Sequence, residues 1–362
     1  MISETRPPRP GEELDRTKLA DFLRSRGLGV RSFEIEQFPA GSSNLTYLVT
    51  TDTDEFVLRR PPFGNTIKSA HDMQREFDVL SKLSAVYAPA PKPMLFCDDE
   101  SVIGSEFYLM ERRHGLIIRG RVPRFAARDV SKGSSDLNTS LEFRMHVCRN
   151  FIQTLADLHS LDYETAGLDD LGHPDGYNRR QVQGWTKRYF AAKTHEHAEL
   201  ESTIKWLNKN IPTESGASLI HNDYKFDNVM LDPEDLTRII AVLDWEMVTI
   251  GDPLMDLGTS LGYWMSPAEG EDMLNMPFNP RVLMENISRS DIAEMYAVAS
   301  GRDITNILYY YIFGLFKIAV ICQQIYARYV KGFTKDERFA GFGTLVDSLG
   351  RFAAKAIETK KM

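Results

Sequence analysis

Cysteine is scarce in this chain. Only Cys97, Cys148 and Cys322 occur in 362 residues, far apart and without metal-ligand spacing. That excludes a disulfide framework and a thiolate zinc site, and fits reduced thiols in a cytoplasmic protein. A basic excess is missing as well. The net charge of −8 argues against nucleic acid as a partner, since non-specific binding needs a cationic face. The N-terminal stretch from Met1 to Pro10 has no apolar core segment, so no secretion signal is expected. Long hydrophobic runs are absent with one exception, Ile307 to Cys322, which is shorter than a membrane span and contains Lys317. It reads as a buried helix of a helical lobe, not as a membrane segment. There is no internal repeat and no low-complexity tract.

What the chain does have is concentrated in residues 219–246. His221, Asp223, Lys225 and Asn228 fall on one short loop, and Asp244 ends a following apolar run, Ile239 to Leu243. Phosphoryl transfer needs such a set. The transferred group carries spread-out negative charge, so metal, cation and alignment do most of the catalysis. The loop offers an acid for the attacking hydroxyl, an amide and a second acid for magnesium, and a cation for the γ-phosphate.

The rest of the chain divides into three parts: an extension with a helix (1–30), a β-rich segment (31–113) and a mainly helical segment (114–362). Glu12 to Leu28 reads as an amphipathic helix that ends at Gly27 and Gly29. Strands are expected at Phe33–Phe38, Leu45–Thr50, Glu55–Arg60, Met94–Cys97 and Glu106–Glu111, with one helix at His71–Leu83. Pro61 and Pro62 stop the third strand. Helices are expected at Leu141–Leu161, Gln183–Ala192 and Glu199–Asn208, and from Ser290 onward. A small β-rich lobe before a larger α-rich lobe is the expected α+β architecture, with the site in the cleft.

The ordered motifs resemble the aminoglycoside phosphotransferase-like family of kinase-fold enzymes, in the branch associated with acyl-CoA dehydrogenases. They run Ala40-Gly41-Ser42-Ser43-Asn44, Phe56-Val57-Leu58-Arg59-Arg60, Arg75-Glu76-Phe77, Phe107-Tyr108-Leu109-Met110-Glu111, the catalytic loop, Leu243-Asp244-Trp245-Glu246 and Gly251-Asp252-Pro253-Leu254-Met255-Asp256. The resemblance implies a bilobal protein-kinase-like fold using ATP and Mg2+. It implies that Asp223 takes or orients the acceptor proton, with Lys225 on the γ-phosphate and His221 holding the loop. Asn228 and Asp244 become the magnesium ligands, hard oxygen donors for a hard cation. On the nucleotide side, Gly41, Ser42, Ser43 and Asn44 line the phosphates. Arg59 stands where kinases carry a strand lysine, with Glu76 as its helix partner, and Arg60 competes for the role. Met110, Glu111 and Arg113 form the connector at the adenine, with backbone contacts from Glu111 and Arg113. Asp256 supports the catalytic loop from below, and Asp252 is a helix N-cap.

Two features separate the chain from protein kinases. Asp244-Trp245-Glu246 lacks a loop-hinge glycine, and only six residues lie between Asp244 and Gly251, too few for a long activation segment. A small-molecule acceptor is therefore expected. Arg112, Arg113, His114, Arg119, Arg121, Arg124, Arg128 and Lys132 form a basic strip that favours an anionic acceptor, such as a hydroxyacyl-CoA, over a cationic aminoglycoside. Trp185 and Tyr189 are candidates to line the acceptor pocket. The branch implies functional association with an acyl-CoA dehydrogenase. The alternative function is a catalytically silent nucleotide-binding module that regulates a partner.

Overall fold

The computed structural model describes residues 4–28, 32–39, 44–63, 72–118, 140–265, 286–334 and 336–362. The fold is α+β. The chain forms two compact units, Met1–His114 with Ile240–Glu246, and Gly115–Ile239 with Met247–Met362.

The first unit opens with helix α1 (Arg16–Ser25), whose Asp15 side chain caps the N–H of Lys18 and whose Leu19 and Leu23 are buried. Five strands follow: β1 (Phe33–Gln37), β2 (Leu45–Thr51), β3 (Glu55–Arg60), β4 (Pro93–Cys97) and β5 (Phe107–Glu111). They make one antiparallel sheet in the order β1-β2-β3-β5-β4. Strand alternation sorts β3 onto two faces. Phe56 and Leu58 join Tyr47, Val49, Leu109 and the α1 leucines in the core, while Val57 and Arg59 face the other way. Helix α2 (Met73–Leu83) packs on β4 and β5, with Phe77 against Phe96 and Tyr108. The segment 31–113 holds a second helix that its sequence does not announce, α3 (Glu100–Ile103). One turn is too short to show a period. Its Asp99 cap and left-handed Gly104 define it instead.

The second unit carries α4 (Leu141–His159), α5 (Tyr177–Ala192) and α6 (Ala198–Lys209), then β6 (Ser218–Ile220), β7 (Val229–Leu231), β8 (Ile239–Val242, mostly assigned to the first unit) and β9 (Thr249–Gly251). Strands β6 and β9 pair antiparallel. Among the described residues four more helices follow: α7 (Pro253–Gly262), α8 (Arg289–Ser300), α9 (Ile307–Val330) and α10 (Phe342–Thr359). Helix α5 begins at Tyr177 and not at Gln183 as its periodicity suggests, because its first turns carry the polar Asn178, Arg179, Arg180 and Gln181. Helix α9 is the membrane-like run. It is 24 residues long, and α5, α6, α7 and α10 surround it, so 83% of its most apolar window is buried inside the protein. Gly258 of α7 meets Gly314 of α9 backbone to backbone; a Cβ on either would overlap the other helix's main chain. That close approach sets where α7 runs, and α7 holds the loop after β6 through Asp256 and Ser260.

Candidate functional site

Two constellations emerge, one in each unit. In the second, the loop after β6 is clamped from its backbone. The carboxylate of buried Asp256 accepts from the N–H of His221 at 2.7 Å and of Asn222 at 2.8 Å. Asn222 holds a left-handed φ of 66°, a conformation with a steric cost for a residue with a Cβ. Burial pushes the Asp256 carboxyl up, but His159, His221 and Lys317 outweigh it and hold the carboxyl below its usual range. His159 is pushed down by burial, against the pull of Asp256. The geometry fits a neutral imidazole, with Nε2–H donating to Asp256 Oδ2 at 3.2 Å and Nδ1 accepting from the Tyr296 hydroxyl at 2.7 Å. Asp252 caps α7 through the N–H of Leu254 at 2.9 Å. It is also held by Asn178, Ser215 and Tyr310.

On this base the Asp223 side chain is fixed three ways. The Tyr263 hydroxyl donates to Oδ1 at 3.0 Å, Asn228 Nδ2 donates to Oδ2 at 3.0 Å, and the Lys225 ammonium pairs with Oδ2. Asn228 also donates to the Asp223 carbonyl at 2.9 Å. With its NH2 so used, its amide oxygen remains for a metal. His221 is fully buried, and its Nδ1 accepts from the Asp223 N–H at 3.2 Å; it braces the loop. Asp223, Lys225, His221 and Asn228 are thus brought together.

In the first unit, Arg59 is the organising cation. It is buried and faces three carboxylates: Glu76 at 3.3 Å, Asp244 at 3.0 Å and Glu246 at 4.0 Å. Burial works against its charge, but Glu76, Tyr108, Asp244 and Glu246 raise its pKa well above the ordinary value. Burial also pushes Glu76 up, and Arg59 opposes it. Asn44 donates to Glu246 Oε2 at 3.0 Å. Asp244 has a left-handed φ of 69°. Asp244 supplies carboxylate oxygens, the hard donors that a small divalent cation takes. The donor set therefore fits magnesium. Arg60 is on the opposite face of β3, donating to the Ile103 and Pro61 carbonyls under the Phe63 ring. Strand alternation separates the two arginines, and only Arg59 reaches the carboxylates.

Other expected residues divide as follows. Gly41, Ser42 and Ser43 lie outside the described residues, as do Arg119, Arg121, Arg124, Arg128 and Lys132 of the basic strip. Of the rest of that strip, Arg112 pairs with Glu4, Arg113 with Glu111 and His114 with Glu55. Met110 is buried in β5. The Glu111 N–H is committed to the Lys92 carbonyl at 2.9 Å, which leaves its carbonyl as the group for an adenine edge. The Arg113 side chain reaches the Ile240 carbonyl at 3.2 Å. Tyr189 is fully buried, its hydroxyl donating to Glu201 at 3.1 Å, so it is a core residue and not a pocket wall.

Residues 34–276 match the model of the phosphotransferase enzyme family. The chain belongs to that family. Acyl-CoA dehydrogenase family member 11 of Gallus gallus is 33% identical to this phosphotransferase-family chain over 337 residues, 91% of this chain and 41% of that protein. The chain thus spans about two fifths of the length of these curated relatives. A crystal structure from Ralstonia eutropha, described provisionally as an aminoglycoside phosphotransferase, is 29% identical with a TM-score of 0.74, covering 95% of this chain and 99% of that one. Choline kinase from Cryptosporidium parvum, 11% identical with a TM-score of 0.57 and coverage of 96% and 97%, shares the fold. The small-molecule kinase fold is therefore established.

Tyr263 is a site residue that the motif reading misses. Its signal is a polar stripe on an apolar helix. Asp256, Ser260 and Tyr263 follow one another at helical spacing on and just after α7. Each reaches the loop: Asp256 as above, Ser260 through the Tyr224 carbonyl at 2.6 Å, and Tyr263 through Asp223.

Proposed function

We propose that this chain transfers the γ-phosphate of ATP, with magnesium, to a hydroxyl of a small anionic molecule such as a hydroxyacyl-CoA. The observation that carries the reading is the triply held Asp223 carboxylate on a loop whose backbone is clamped by Asp256. A carboxylate held this way orients the acceptor hydroxyl and takes its proton as the O–P bond forms. Lys225, already paired with Asp223, offers its charge to the transferred phosphoryl group. Asn228 and Asp244 would ligate magnesium, and Arg59 would contact phosphate oxygens. The bound metal supplies charge neutralisation across the phosphates. The Glu111 carbonyl and Arg113 N–H would meet the adenine.

The anionic acceptor draws support from relatives named acyl-CoA dehydrogenase family members. Working beside such a dehydrogenase, in the cytoplasm, belongs to the same proposal. The test is magnesium-dependent ATP turnover against hydroxyacyl-CoA and kanamycin, with products identified by mass. Phosphorylated hydroxyacyl-CoA is the expected product, and preferential phosphorylation of kanamycin would sink the anionic acceptor.

One observation favours a second reading, a nucleotide-binding module that transfers nothing. Arg59 already engages the Asp244 carboxylate at 3.0 Å, so magnesium must compete with a guanidinium for its ligand. If nucleotide binds and no acceptor ever gains phosphate, this second reading holds.

A further inference from the structure

Next to the catalytic loop, three cations gather around two aromatic rings. Arg188 of α5 lies over the Trp185 indole, 4.6 Å from its centroid, and Lys317 of α9 lies 5.7 Å from the same ring. Lys225 lies 5.1 Å from the Tyr263 ring. The Lys317 ammonium is buried and donates to the Asn222 carbonyl at 2.5 Å, one residue before Asp223. Burial pushes Lys317 down to about 8, and although Asp256 and Asp223 oppose that, Lys225 and Arg188 are close enough to add to it.

Clustering like charges is costly, and a chain of net charge −8 has no surplus of cations to place. Asp223 answers Lys225, and neither nearby acid makes a direct ion pair with Lys317 or Arg188 among the described residues. Asp223 is shared among Lys225, Tyr263 and Asn228, and Asp256 is taken by two backbone N–H groups and His159. Arg188 is exposed and forms no ion pair among the described residues. Its guanidinium stays charged and keeps its forked N–H donors for a planar oxyanion.

We infer that Arg188 and Lys317, both against the Trp185 ring, form a receptor for the negatively charged group of the acceptor, a carboxylate or a phosphate, and so position its hydroxyl at Asp223. This rests on the proposed phosphotransferase reading, and it moves the selectivity for anions from the basic strip after β5 to the α5–α9 face of the second unit. Lys317 supplies a desolvated point charge, and the exposed Arg188 supplies direction.

The test is calorimetric titration of the full chain, loaded with magnesium and a non-hydrolysable ATP analogue. The probes are 3-hydroxybutyrate, 3-hydroxybutyryl-CoA and the neutral methyl 3-hydroxybutyrate, against wild type, Arg188→Ala and Arg188→Glu. Arg188 is exposed, so the variants should fold, and circular dichroism checks this. At least one anionic probe is expected to lose threefold or more in affinity in Arg188→Ala and tenfold or more in Arg188→Glu, with the methyl ester changing less than twofold. Loss confined to the thioester identifies phosphate as the recognised group, and loss with the free acid identifies carboxylate. Unchanged anion affinity in Arg188→Glu overturns the inference, as does failure of every anionic probe to bind saturably. Because binding is read without turnover, the receptor stands or falls separately from transfer itself, which a parallel ATP assay reports.

Discussion

Replacing Asp256 with alanine strips the loop after β6 of its floor. Two buried backbone donors, His221 N–H at 2.7 Å and Asn222 N–H at 2.8 Å, lose their acceptor. Hydrogen bonds to a charged group contribute about 1.5–3 kcal/mol each, and stranding the buried donors adds desolvation, so about 3–6 kcal/mol is at stake. That is a large share of the 5–15 kcal/mol of a typical domain. Asn222 at φ 66° then keeps its left-handed conformation only through Lys317, Tyr177 and the Met247 carbonyl. Asp256→Asn keeps the shape but offers one oxygen where two are used, so about half of that loss is expected. Urea denaturation gives the global loss, and hydrogen exchange over residues 219–226 locates it. The Asp256 carboxyl is held below its usual range, so its contribution is complete above about pH 4 and disappears as pH falls through the lower folded value. The gap between wild type and Asp256→Ala must therefore narrow in acid. A loss under about 1 kcal/mol with unchanged exchange at the loop would refute the clamp.

Three further outcomes follow from the same geometry. Gly314→Ala drives a methyl into the Gly258 main chain and should lower stability by about 3 kcal/mol or more, read as a fall in Tm, whereas Gly301→Ala, in open space, is penalised only through its left-handed φ of 68°. Lys317 is depressed to about 8, so the folded state holds its proton less tightly than the unfolded one. The stability of wild type minus that of Lys317→Met should rise by about 3 kcal/mol between pH 8 and 10.5, measured by urea midpoints at each pH. Tyr263→Phe removes one hydrogen bond from Asp223 and should slow transfer by roughly five- to twentyfold, in steady-state assays, with the fold intact.

Much of this was legible in the sequence because local chemistry decided it. Strand β3 spans Glu55–Arg60 as its alternation and the Pro61-Pro62 stop require. The clustering of Asp223, Lys225 and Asn228 was legible because they are close along the chain, and the structure brings their side chains together. What stayed hidden depends on long-range placement. The sequence leaves open whether Arg59 or Arg60 is the site arginine until Asp244, 185 residues after Arg59, is set beside it. Helix α5 begins early because its first turns bury Tyr177 and the polar Asn178, the latter against Asp252, while presenting charge elsewhere. Trp185 and Tyr189 share a helix, yet one carries two cations on its ring and the other points into the core. Spacing cannot tell these apart; the packing of α9 does.

The central claim is that Asp223 is the carboxylate at which phosphate transfer begins. The direct measurement is single-turnover transfer from ATP to 3-hydroxybutyryl-CoA by wild type and Asp223→Asn, with nucleotide binding verified in both. Loss of a positioned proton acceptor should slow transfer by about 10²- to 10⁴-fold while ATP still binds. Transfer by the variant at the wild-type rate would contradict the account.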